Sequence, residues 1–436
     1  MDLFARGLNL ASLLLIVGAT AIICRGNCEP GTPIPAVAPT TTADPTDKPS
    51  KPTKLNELNK LNEPNKLSEP NKLSEPNEAI TNYAAAIKSA WDDLRAGKFD
   101  AAKATLATTD ESLRSVEYSF ILGRLGQSAT DYVAANIGRR LLPASGRVSE
   151  VLIAADSNHA FIAGQTATLS VIDLTGKAEV QSIVLDPENA QNAEFYVTTL
   201  AATGDRARVV AATTAGSVYV VDGREVKLQS SFSAGDQPIT SLAVSPDGAF
   251  IATVMKADQV VLWKADGTKV AELGKAMNFG RPVAFSHDSK FVGLGGMSRI
   301  EMFDTATGAA AGELGGQSPY AMALAFSSDG KFMATGSRGS SDKSVYLFDR
   351  ASGERLHQIS EHSRGINNVS FSPDGRRLLS ASSDGTIRLT DTQTGAPVWT
   401  VDTGKACGSG CFSPDGRWIA WSSAKGAEAI GPILPK

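Results

Sequence analysis

Groups able to do acid–base, metal or redox chemistry are few in this chain and far apart. The 436 residues hold four histidines, His159, His287, His357 and His362, and four cysteines, Cys24, Cys28, Cys407 and Cys411. An active site needs a nucleophile, a base and a polarising group that converge. The histidines are scattered, and no third ligand flanks the cysteine pair in Cys407-Gly-Ser-Gly-Cys411. In an extended strand, residues four apart lie about 13 Å from each other, too far for a disulfide. The two glycines could fold the chain back, so a small disulfide loop and two buried free thiols are both open. Gly293-Leu-Gly-Gly296 lacks the following helix that a phosphate loop requires. The expectation is a chain with no catalytic residues, no cofactor and no metal. Its net charge of -4 excludes a chain-wide basic footprint for nucleic acid.

The elements that carry these residues come from a repeat. One turn recurs five times: Val244-Ser-Pro-Asp-Gly248, Phe285-Ser-His-Asp-Ser289, Phe326-Ser-Ser-Asp-Gly330, Phe371-Ser-Pro-Asp-Gly375 and Phe412-Ser-Pro-Asp-Gly416. Each ends an apolar run and opens an alternating one, which is a strand, a reversal and a second strand. Two degenerate copies precede them, with the turn aspartate position falling at Asn158 and Asp205. A third strand ends in an acidic turn, as at Asp173, Asp222, Asp304, Asp349 and Asp391, and a fourth follows, for example Arg355–Ile359. Seven copies at a period of about 40–45 residues predict an all-β, seven-bladed β-propeller. In this frame His159 and His287 sit in connecting turns and His357 on an outer strand. The last repeat runs out after its third strand. Residues 137–142 are therefore expected to supply the missing outer strand and remove a sheet edge.

Repeat six, with His362, Val369-Ser-Phe-Ser-Pro-Asp-Gly375 and Ser380-Ala-Ser-Ser-Asp-Gly-Thr-Ile-Arg-Leu-Thr-Asp391, resembles the WD40 family. The resemblance covers about 290 residues. It implies a buried His–Ser–Asp–Trp network in each blade, with His362, Ser382 and Asp384 matching the first three members and Thr390 standing where the family has Trp. The other repeats lack the histidine. Trp263 occupies the Trp position of repeat three, followed by Lys264 in place of Asp. A divergent propeller held mainly by apolar packing between blades is the expectation.

Upstream, three segments read differently. Residues 1–24 contain the apolar run Leu8–Cys24. A signal peptide cleaved after Ala21 and an uncleaved anchor are both open; lipid attachment at Cys24 is disfavoured by Ile23 before it. Residues 25–77 are Pro/Thr-rich and then run as a six-residue repeat, as in Lys66-Leu-Ser-Glu-Pro-Asn71. Such a segment reads as a disordered tether. Residues 78–135 show helical periodicity at Ile80, Tyr83, Ala84, Ile87, Trp91 and Leu94, broken by Gly97, and resemble part of a tetratricopeptide hairpin. A single copy cannot stack on neighbours, so this α-helical segment is expected to dock on the propeller, residues 136–436.

The function expected is that of a non-catalytic protein-binding scaffold, monomeric, exported, and tethered to a membrane if the N-terminal segment is retained. Short loops on a rigid ring bind at little ordering cost. Aromatic, Met and Arg residues entering the inner strands are the candidate partner contacts: Met277, Phe279, Arg281, Tyr320, Arg338 and Arg364. The alternative, a propeller enzyme or small-ligand binder, requires polar groups aimed into the channel. Inner strands such as Ala321–Phe326 read as small and apolar, which argues against it.

Overall fold

The Ser-x-Asp turn explains why the chain folds as repeating hairpins. In each of the five clear copies the serine hydroxyl donates to the aspartate carboxylate and accepts a backbone N–H from beyond the turn. In blade three Ser245 Oγ lies 2.6 Å from Asp247 Oδ1 and accepts Phe250 N–H at 2.9 Å. Ser286, Ser327, Ser372 and Ser413 repeat the arrangement. The residue after aspartate takes positive φ, which suits Gly248, Gly330, Gly375 and Gly416.

A computed structural model describes residues 78–114, 117, 118, 121, 139–141, 148–164, 166–174, 181–189, 192, 194–256, 259–275, 282–296, 299–314, 321–339, 342–423 and 426–430. The expected anchor and tether, residues 1–24 and 25–77, lie outside them. Seven four-stranded antiparallel sheets follow one another along the chain. Their inner strands are Glu150–Ile153, Val197–Ala202, Ile239–Val244, Val283–Phe285, Ala321–Phe326, Ile366–Phe371 and Cys407–Phe412. Each touches the next, and the last touches the first, so the ring is closed. In blade seven the outer strand is Arg139–Leu141, antiparallel to Gly426–Ile430 with Arg140 opposite Glu428. The strand expected from residues 137–142 is in place.

The core lies between blades rather than within them. Seven apolar clusters occupy the seven blade boundaries, such as Phe161 and Val197 between blades one and two, and Val254 and Phe285 between three and four. The divergent sequence keeps this packing while dropping most of the polar network.

In blade one Ile153 pairs with Ala160 as Val244 pairs with Ile251 in blade three. The turn aspartate is therefore Asp156, not Asn158. Ser157 takes the positive φ position, at 58°, and this glycine-free turn hid the register. In blade two Asp205 is correctly placed, and Arg206 holds the glycine position at φ 52°. That conformation costs an arginine about 1–2 kcal/mol. Arg206 donates to the carbonyls of Ile153 and Phe412, tying blades one, two and seven where their inner strands end.

The described residues before the ring include two helices, α1 (Glu78–Arg95) and α2 (Phe99–Ala107), with Gly97 at φ 73° between them. The face of α1 marked by Tyr83, Ile87, Trp91 and Leu94 packs against the blade six–seven boundary. Trp91 meets Trp399 edge to face at 5.6 Å, worth about 0.5–1.5 kcal/mol beyond burial. The helices dock on the ring, as their lone copy number implies.

Candidate functional site

The ring leaves a cavity of about 680 Å³ at the mouth of its channel. All seven blades line it, through the starts of inner strands and the ends of two second strands. The lining is polar, against the small, apolar channel expected from Ala321–Phe326. The reason is a bulge near the start of five inner strands, between Val197/Thr199, Ile239/Ser241, Ala321/Ala323, Ile366/Asn368 and Cys407/Gly410. A bulge breaks the alternation and re-aims side chains. Consecutive residues, such as Thr198–Thr199, Thr240–Ser241 and Asn367–Asn368, then reach the same cavity. The Thr198 and Thr240 hydroxyls donate to Ala212 and Val254 carbonyls of the second strands, each at 3.1 Å.

Among the described residues three charged side chains line this mouth: Glu150, Lys256 and Arg338. Glu150 Oε2 accepts the Leu200 N–H at 2.7 Å. Burial pushes its carboxyl up to about 7, the Leu200 and Thr199 hydrogen bonds opposing that rise. Lys256 and Arg338 are exposed.

Of the residues expected to contact a partner, Arg338 and Arg364 are described and exposed. Arg338 leaves the second strand of blade five and lies over Gly365 of blade six, where a Cβ would collide with its aliphatic stem. Arg338 thus lines the mouth and lies against the turn that carries Arg364. Met277, Phe279, Arg281 and Tyr320 lie outside the described residues.

The blade-six network has the look of a catalytic triad. His362 Nδ1 lies 2.9 Å from Asp384 Oδ2, and His362 Nε2 lies 2.8 Å from Ser380 Oγ. The serine is Ser380, not the expected Ser382, whose hydroxyl instead donates to the carbonyls of Arg364 and Gly365. Ser380 faces the position of the missing Trp, because Leu378 pairs with Thr390. In blade three the surviving half of that network is Trp263 Nε1–H donating to Thr253 Oγ1 at 2.9 Å. The His362 and Asp384 side chains are 1% and 5% exposed and Ser380 is buried, so no substrate reaches this serine. Burial alone would raise the Asp384 carboxyl; hydrogen bonds from His362, Thr386 and the Ser363 N–H outweigh it and hold the group well below the usual range. His362→Ala is expected to cost about 2–3 kcal/mol by stranding Asp384 and Ser380. With the folded value depressed, the stabilisation is complete above about pH 4 and fades as pH falls below it. Urea titrations at pH 7 and pH 3 check this: the gap between wild type and variant narrows in acid.

Cys407 and Cys411 are both buried and free, so the disulfide alternative does not hold. Burial pushes Cys407 up to about 11 and Cys411 upward as well, which keeps both thiols protonated and unreactive. Among the described residues no three His, Cys, Asp or Glu side chains cluster as metal ligands. No helix among them is long and apolar enough to cross a membrane.

Sequence reading missed the buried ion cluster that joins the helical segment to blade six. Arg377 donates to Glu117 Oε1 from Nε at 3.2 Å and Nη2 at 3.0 Å, and to Asp391 Oδ2 from Nη1 at 2.8 Å. Tyr83 Oη donates to the same Glu117 oxygen at 3.0 Å, and the guanidinium stands 5.5 Å from the Tyr83 ring centre. Burial would lower the Arg377 value, but the Glu117 and Asp391 carboxylates more than offset it and hold the guanidinium charged.

The WD40 family model (WD domain, G-beta repeat) matches residues 226–264, 311–349 and 353–391. The chain is 37% identical over 84 residues to WD repeat-containing protein 1 of Gallus gallus, covering 19% of this chain and 13% of that relative. It is 33% identical over 81 residues to the small ribosomal subunit protein RACK1y of Oryza sativa subsp. japonica, covering 19% of this chain and 24% of that relative. These matches therefore span between about an eighth and a quarter of the relatives' lengths. Three matched repeats, the half-kept polar networks and seven blades of one construction support a WD40-family propeller.

Proposed function

We propose that the protein is a non-catalytic protein-interaction scaffold that docks its partner on the face where the inner strands begin. The observation that carries this reading is the Arg338–Arg364 rim, two exposed arginines from neighbouring blades on a closed, rigid ring. Arginine is enriched at binding hot spots, and a preformed ring spends little free energy on ordering. The nearest approach to a catalytic centre among the described residues, the blade-six triad, is sealed, which supports this reading. The relatives carry WD repeats, a family typically used for protein binding. We further propose that residues 1–24 export the chain and, where retained, anchor it, with residues 25–77 as the tether.

The test is quantitative capture with the full chain and with a R338A/R364A variant. A stoichiometric protein partner that loses at least tenfold affinity in the variant, with unchanged melting temperature, supports the reading. A partner indifferent to both substitutions moves the site off this rim. Retention of all captured material on neither form sinks the scaffold. Membrane fractionation with protease protection tests export separately; a cytosolic, protected propeller would overturn it.

A further inference from the structure

The mouth of the channel is more than a passage between loops. Its described cations, Lys256 and Arg338, make no hydrogen bond or ion pair with the protein, nor do the Ser241 hydroxyl and the Asn368 amide nitrogen. The carboxyl among the described lining residues, Glu150, is turned onto the Leu200 N–H. Among the described residues the cavity thus offers two free positive charges and two free hydrogen-bonding groups within a volume typical of small-ligand pockets. Its bulged inner strands supply those groups from rigid sheet rather than from loops, so they are held in place before a ligand arrives.

We propose that this mouth binds a small polyhydroxylated carboxylate, with Lys256 and Arg338 supplying the positive charge that attracts the carboxylate and Ser241 and Asn368 among the groups that bond its hydroxyls. The charge balance of the described lining selects an acid over a neutral polyol. The lining selects a hydroxylated acid over an aliphatic one, because an aliphatic chain would leave the amide and hydroxyl unpaired. The site does not rest on the scaffold reading; the two share Arg338, so a protein on the rim and a ligand in the mouth compete for that side chain, and Lys256→Ala tells them apart.

Glu150 adds a signature in pH. The groups around it are Thr199 and Leu200 of blade two, with the Cys411 thiol in electrostatic reach and Lys256 and Arg338 as the other described charges of the mouth. Cys411, pushed up by burial, stays neutral near neutral pH. As pH falls through about 7, Glu150 takes up a proton and a negative charge leaves the cavity. Anion binding then strengthens.

The experiment is calorimetric titration of the full chain with gluconate, which stays ionised from pH 6 to 8, against sorbitol as a neutral polyol of similar size. Gluconate is expected to bind, more tightly at pH 6 than at pH 8, and sorbitol at least tenfold more weakly. Lys256→Ala and Arg338→Ala, both at exposed positions, are each expected to weaken gluconate about tenfold with unchanged melting temperature. Glu150→Gln is expected to abolish the pH dependence. Gluconate affinity untouched by both cation substitutions, equal affinity for sorbitol, or no heat at millimolar gluconate at pH 6 would each overturn the proposal.

Discussion

Replacing Arg377 with methionine is expected to lower the unfolding free energy by about 3–5 kcal/mol and to loosen the helical segment from blade six. The magnitude follows from what stays behind. Glu117 is fully buried and Asp391 is 3% exposed. Without the guanidinium, two carboxylates and the Tyr83 hydroxyl are left in an apolar boundary lined by Trp91, Trp399 and Trp421. Breaking a buried pair by removing one partner typically costs this much, because the other charge stays desolvated. The pair is already imperfect, since Glu117 Oε2 has no partner. Combining Arg377→Met with Glu117→Gln is therefore expected to recover part of the loss. Denaturant unfolding followed by tryptophan fluorescence measures both variants, and limited proteolysis reports release of α1. A loss below about 1 kcal/mol for the single variant would show that the cluster is solvated in solution.

Deleting residues 136–143 is expected to abolish cooperative folding of the whole propeller, not of one blade. The three residues Arg139–Leu141 satisfy the outer edge of blade seven. Their loss exposes the edge of Gly426–Ile430 and the boundary that holds Ala427 and Ala429. That boundary seals the ring between its last blade and its first, so the remaining six boundaries lose their circular constraint together. Differential scanning calorimetry checks this. One cooperative transition at the wild-type temperature would show that the ring closes without its N-terminal strand.

The repeat was legible because its turn chemistry is written in short range. Ser-x-Asp-Gly carries its own hydrogen bonds, so five blades announce themselves, and the absence of a fourth strand after blade seven points back to residues 137–142. Blade one escaped by two residues because Ser157 replaced the glycine that marks the register. The channel was misread for a different reason. Alternation assigns sides by counting in twos, and a bulge near a strand's start resets the count without any signature residue. Arg377 was legible in principle. Phe250, Phe291, Phe332 and Trp418 occupy its position in other blades. An arginine in an aromatic's place has to find carboxylates, but one of them, Glu117, lies 260 residues away in sequence. Of the partner contacts, the sequence supplied residue types and loops, while only the fold brings Arg338 against the Arg364–Gly365 turn.

The closure of blade seven also sets a clock on biosynthesis. Arg140 leaves the ribosome early, and its partner Glu428 emerges only after nearly the entire propeller has been made. At about 5–20 residues per second, the delay is on the order of 15–60 s. Throughout that interval the first blade has no seventh to lean on, and a strand-forming segment waits with its backbone unpaired. The nascent chain therefore passes through a period in which shielding by a chaperone, or passage through a translocation pore before closure, is compatible with its topology, and after which neither is needed.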